Sequence, residues 1–191
     1  MNTPEMVISD TQRWLERAVI GLNLCPFAKA VHVKGLIHYA VSEATTAVEL
    51  LADLKNELNL LANIDLDLES IAYDTTLLIA PYCLYDFLDF NDLLGKADKL
   101  LAKTKLEGTI QLANFHPQYQ FAGTEPDDIT NFTNRAPYPT LHLLRESSID
   151  QAVEAFPEAE AIFEVNMATM ERLGLKGWDA LQVGATLNTP P

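Results

Sequence analysis

Positive charge is scarce in this sequence: 13 lysines and arginines stand against 27 aspartates and glutamates, a formal net charge of −14. A nucleic-acid partner needs a basic stripe to neutralise phosphates. The one basic cluster, Lys96, Lys99, Lys103 and Lys105, reads instead as the solvated face and C-terminal end of a helix, where cations complement the macrodipole. Glycine is sparse too, and no glycine-rich loop follows any predicted strand, so a nucleotide-binding fold has no support. The two cysteines, Cys25 and Cys83, supply neither a disulfide framework nor a zinc spacing. No apolar run approaches the ~20 residues of a membrane span. The opening MNTPEMVISD lacks the basic and apolar regions of a signal peptide. These absences point to a cytoplasmic protein with free thiols, no nucleic acid and no membrane.

What is present suits one globular domain. The 191 residues, 48% of them hydrophobic, are enough for a single core and short for two. Ser9 and Gln12 form a capping-box pattern, and Trp14, Leu15, Ala18, Val19 and Leu22 recur behind them at helical spacing. Gly21 and Asn23 to Pro26 end that helix, with Pro26 placed to open a short turn at Phe27 to Lys29. Leu36 to Val41 reads as a strand. Glu43 to Ala62 reads as a helix whose seam is Ala47, Leu51, Leu54, Leu58 and Leu61. Asp65 to Glu69 alternates but is acidic, as a solvated connection or sheet edge would be.

Ile71 to Ala80 is a strand stopped by Pro81, and Phe87 to Lys105 a helix closed by Gly108. Thr109 to Phe115 and Thr140 to Arg145 complete the strands. Ser148 and Gln151 open a helix ending near Pro157. Asn166 caps a last helix carrying Met167, Met170 and Leu173, stopped at Gly174. Residues 1–182 are expected to form the domain and 183–191 a frayed tail. The order predicts an α+β fold: a small mixed four-stranded sheet with helices packed on it as a two-layer sandwich, with a three-layer α/β arrangement as the alternative.

The run from Asn114 to Glu146 carries the chemistry. It holds His116, His142, Arg135, Arg145, Asp127, Asp128 and three asparagines between two strands, and Phe115, Tyr119, Phe121, Phe132 and Tyr138 anchor it. Loops beyond ~12–15 residues in compact domains are usually functional or disordered, and a disordered linker lacks such anchors. Imidazole is the side chain most easily tuned for proton transfer near neutral pH, which makes His116 and His142 candidate acid–base residues. Arg135 and Arg145 are a candidate fork for a carboxylate or phosphate. Asn134, Tyr119, Asp127 and Asp128 are candidate substrate contacts, although Asp127-Asp128 also reads as a helix cap. Cys25, beside Pro26, is a candidate nucleophile if it begins a helix and a buried, inert thiol if it ends one. Histidines with acids could hold a metal, but no metal-ligand spacing is present and none is assigned; the cofactor is left unknown.

Asn23-Leu24-Cys25-Pro26-Phe27-Ala28, Phe115-His116-Pro117, Phe121-Ala122-Gly123-Thr124, Thr133 to Pro139 and Leu141 to Glu146 also stand in a familiar order. The chain resembles the bacterial family called domain of unknown function 1415, over most of its length. Ala136 stands where that family is expected to have serine. The resemblance implies one domain and no particular mechanism. Three readings remain open. One is a small enzyme acting on a polar, anionic small molecule; another is a ligand- or metal-binding module without turnover. The third is an interaction protein that uses the aromatic loop 115–139, in which Tyr119, Phe121 and Tyr138 would form an exposed patch.

Overall fold

The computed structural model describes residues 3–64, 73–155 and 161–186. Helix α1 spans Pro4–Trp14 and continues as a π-helical segment, Leu15–Ile20. It starts earlier than Ser9 because Thr3 caps it, accepting from the Met6 amide, and Pro4 follows at the first helical position. Gly21 ends the wide turn. A Cβ there would lie 2.3 Å from the Arg17 carbonyl oxygen, so only glycine fits. After a turn come α2, Ala28–Val33, and strand β1, Ile37–Val41.

Helix α3, Ala47–Asn63, opens on a complete capping box between Thr46 and Glu49. Strand β2 is Thr75–Ile79, and α4 is Phe87–Lys103, with Asp86 accepting from the amides of Leu88 and Asp89. Strand β3, Ile110–Phe115, leads into the long loop, which contains a 3-10 helix at Ile129–Asn134. Strand β4, Thr140–Arg145, runs directly into α5, Glu146–Ala155, so Ser148 is not its cap. Helix α6, Ile162–Leu181, is broken at Gly174 and resumes, where the sequence pattern predicts a stop. The expected stretch Asp65 to Glu69, the start of the strand expected from Ile71, and Pro157 lie outside the described residues.

The strands form one mixed sheet in the order β1-β2-β4-β3. β1 is parallel to β2, and β4 is antiparallel to both β2 and β3. The two helical crossovers thus leave a gap between β2 and β3, which β4 fills on returning from the loop. This is the expected α+β architecture with a small mixed sheet. Alternation sends Leu78, Leu141, Leu143 and Ile110 to one face, where they meet Leu50, Leu54, Leu58 and Leu61 of α3 and Phe90, Leu93, Ala97 and Leu101 of α4. On the other face, Leu77 and Ile79 pack with Val7 and Tyr138, while Trp14, Leu15, Ala18 and Val19 pack with Ala136, Phe115 and Val183. Helices therefore lie on both sides of the sheet, the layering weighed above as the alternative.

The fraying expected from Val183 does not describe residues 183–186. Val183 is buried, Arg13 donates to the carbonyls of Gln182 and Gly184, and the Thr186 amide donates to Asp10.

Candidate functional site

The sheet separates the two histidines. His116 continues the alternation of Leu112 and Asn114 and lies on the α4 face, its ring 5.4 Å from that of Phe87 and 5.0 Å from that of Phe90. His142 faces the other way, beside Phe115 at 6.0 Å and paired in register between Leu77 and Ala113. The expected acid–base pair does not share a cleft. A side-chain period of two is the cause: His116 falls opposite the position before Thr140, an odd number of residues from His142.

His116 is fully buried and fully bonded. Its Nδ1 accepts from the Gln118 amide at 3.0 Å, so Nε2 carries the proton and donates to the Leu84 carbonyl at 2.9 Å. Burial lowers its pKa, against smaller opposing contributions from the Leu84 hydrogen bond and Asp86. The neutral ring thus staples the start of the loop to the turn before α4.

The rest of the loop is held the same way. Asn131, also fully buried, accepts from the Phe121 amide and the Thr124 hydroxyl and donates to the Glu125 carbonyl. Arg135 donates to the Tyr119 carbonyl at 3.2 Å and to the Pro126 carbonyl at 2.5 Å, with its guanidinium 4.0 Å from the Phe132 ring centre. Asp128 caps the 3-10 helix through Thr130, so the capping reading applies to it. Asn134 accepts from the His116 amide through its carbonyl and from Thr133 through its side chain. Asp127 is exposed.

Arg145 lies elsewhere. It donates to the Leu61 carbonyl at the end of α3 and sits 3.8 Å from Asp74, so it forms no fork with Arg135. Tyr138, expected in an exposed aromatic patch, is 1% exposed and donates to Asp10 at 2.8 Å.

A row of aromatic rings runs along one side of the loop. Phe87 at the start of α4, Tyr119 and Phe121 in the loop, and Phe163 on α6 follow one another at ring separations of 5.1, 5.0 and 6.0 Å. Tyr119 and Phe121 are half-buried, whereas Phe163 is 57% exposed and Leu88, next to Phe87, is 73% exposed. Sequence reasoning found Tyr119 and Phe121 but missed Phe87 and Phe163, because no sequence signal joins α4 and α6 to this loop.

On the opposite face, His142 keeps one nitrogen open. The Thr75 hydroxyl donates its only proton to the Leu143 carbonyl at 2.6 Å. The 2.8 Å contact between Thr75 Oγ1 and His142 Nε2 must then be donated by the ring. Nδ1 is then the acceptor nitrogen, with no partner among the described residues, and burial lowers the pKa to about 4, so the ring is neutral. Cys25, half-buried in the turn before α2, packs against the cluster that Phe115 also joins. It lies neither at a helix end nor at a helix start, since Phe27 is the N-cap of α2.

A second buried network was not foreseen. Asp10 is 1% exposed and binds Arg13 at 2.6 Å, Tyr138 and Thr186. The signal was available: Asp10 falls on the apolar face of α1 with Val7, Thr11 and Trp14, where an acid needs partners. An open depression of about 500 Å³ lies over Arg13, Arg17, Gln182 and Thr186. Its arginines bind carbonyls of Leu181, Gln182 and Gly184. Among the described residues no three His, Cys, Asp or Glu side chains gather as a metal site, and no helix is long and apolar enough to cross a membrane.

A family model described as "Protein of unknown function (DUF1415)" matches residues 6–180. No curated protein and no solved structure matches the chain.

Proposed function

The chain belongs to the DUF1415 family, and we propose that it works as a protein-interaction domain whose docking surface is the aromatic ladder Phe87, Tyr119, Phe121 and Phe163. The observation that carries this reading is the division of labour in the loop. His116, Asn131, Asn134, Asp128 and Arg135 are all engaged within the protein, while the half-buried rings of Tyr119 and Phe121 join Phe87 to the exposed Phe163, with Leu88 exposed beside them. A rigid platform of aromatics loses little entropy on binding, and such residues dominate interface energetics. We take the compartment to be the cytoplasm, since both cysteines are unpaired.

The test is elution of the protein from a lysate of its own host. The 21.2 kDa chain is expected in a larger assembly, which Leu88→Ser with Phe163→Ser disperses to monomer. Val33→Ser with Val48→Ser, at sites 75% and 77% exposed and off the ladder, is expected to leave the assembly intact. Identical elution of all three proteins refutes the reading.

A second reading keeps small-molecule chemistry and moves it to His142, on the strength of its open Nδ1. A neutral imidazole with a bare nitrogen can accept a proton or a hydrogen bond from a ligand, and Cys25 lies in the same layer. His116 has no part in it, since it lies on the other face of the sheet. Nitrogen chemical shifts of His142 test this second reading: an Nε2-protonated ring is required, and an Nδ1-protonated ring removes it.

A further inference from the structure

We propose that the occupant of the ladder is a basic amphipathic segment of a partner protein, with apolar side chains on the rings and lysines or arginines around them. The inference rests on the docking reading and adds the chemistry of the partner. Carboxylates frame the ladder on every element that builds it. Asp86 and Asp89, both exposed, flank Phe87 and Leu88. On the loop, Glu125 and Asp127 are exposed on either side of Pro126. Arg135 bridges the Pro126 and Tyr119 carbonyls, which fixes those two acids close to the ladder. Glu164, also exposed, follows Phe163.

The cation inside this frame does not face outward. Arg135 is turned to two backbone carbonyls and the face of Phe132. The lysines of α4 begin at Lys96, ten residues beyond Asp86, about 15 Å along the helix. Along the loop and the start of α4, the rim therefore presents carboxylates beside an apolar centre. In such a surface the centre supplies affinity and the rim supplies steering and choice of partner. Phosphate-bearing surfaces, whether nucleic acid or anionic lipid, are repelled by the same rim.

The probes are two labelled helical peptides of about 18 residues, five turns, with leucine on one face and either lysine or glutamate on the other. Anisotropy titrations use the full chain. The lysine peptide is expected to bind, more weakly as salt is raised, and the glutamate peptide not to bind. Phe163→Ser is expected to weaken the lysine peptide about tenfold, as for one interface aromatic. Glu125→Gln with Asp127→Asn is expected to weaken it about threefold to tenfold.

The charge-matched control is Asp98→Asn with Glu107→Gln, exposed acids away from the ladder. It is expected to change binding less than about twofold. If this control weakens binding as much as the ladder pair does, attraction is to the net charge alone and the proposal fails. If the glutamate peptide binds as well as the lysine peptide and both need Phe163, the basic partner is wrong while the docking surface stands. If neither peptide binds, the basic segment is overturned and the elution test alone judges the surface.

Discussion

At His142 the fate of one hydroxyl proton decides the chemistry, because Thr75 gives it to Leu143 and so fixes which ring nitrogen is bare. The ring's pKa, about 4 when folded against an ordinary 6.5, sets a pH dependence whose sign is definite. The unfolded chain takes up the proton first. Stability is therefore flat above about pH 6.5, falls as pH drops through the window down to about 4, and levels below it. The shift is worth about 3 kcal/mol as an upper bound, reduced by the ring's partial exposure. His116, lowered mainly by burial, acts in the same direction. Urea unfolding at several pH values is expected to show this slope in the parent and a shallower one in His142→Gln. Cys83 is buried, and burial, with Glu49 and Asp53 adding to it, raises its pKa to about 11. It should resist iodoacetamide at neutral pH until the protein unfolds, while half-buried Cys25 labels in the native state. Labelling read by mass spectrometry checks this, and equal protection of both thiols would place Cys25 in the core.

Elements show where the sequence was legible and where it was not. All four strands and the longer helices could be read from the sequence pattern, because burial on a sheet or helix face imposes it directly. Helix α2, Ala28–Val33, was legible only as a short turn at Phe27 to Lys29, having no buried residue to mark a face. The seam of α3 departs from the expected one at its start: Leu50, four residues before Leu54, is fully buried, and Leu51 only partly. The loop was recognised as ordered, but the roles of its residues were not. A histidine that staples a turn and one that moves protons look alike in sequence, and only the partners of both nitrogens separate them. Arg135 is the clearest case, chosen as an anion clamp and found clamping backbone. Arg135→Lys keeps the charge yet cannot span two carbonyls and stack on Phe132, so a loss of about 1–3 kcal/mol is expected. Hydrogen exchange should then accelerate at the amides of Gln118, Phe121 and Thr130, all bonded within the loop. In α6, Gly174 has φ 65° and ψ 172°, a region essentially closed to other residues. Gly174→Ala is expected to cost about 1–3 kcal/mol, read from the urea midpoint, and an unchanged midpoint would mean that the break is not held.

For the whole molecule, the sheet is a partition. One face is sealed by α3 and α4, the other carries α1 and the residues 183–186 that Asp10 and Arg13 hold down. His116 and His142 belong to different sides of it, and no reading of sequence separation could place them, because the loop between them is long enough to reach either side. Beside the loop runs the row of rings from Phe87 to Phe163, half-buried along its length and exposed at Phe163. The most direct measurement is site-specific photo-crosslinking in living cells of the native host, with the crosslinking side chain placed at Phe163, at Leu88 and, as the off-ladder control, at Val33. The account predicts one shared protein adduct from Phe163 and Leu88, joined through a lysine- or arginine-rich segment, and no such adduct from Val33. The same set of adducts from all three positions would contradict it.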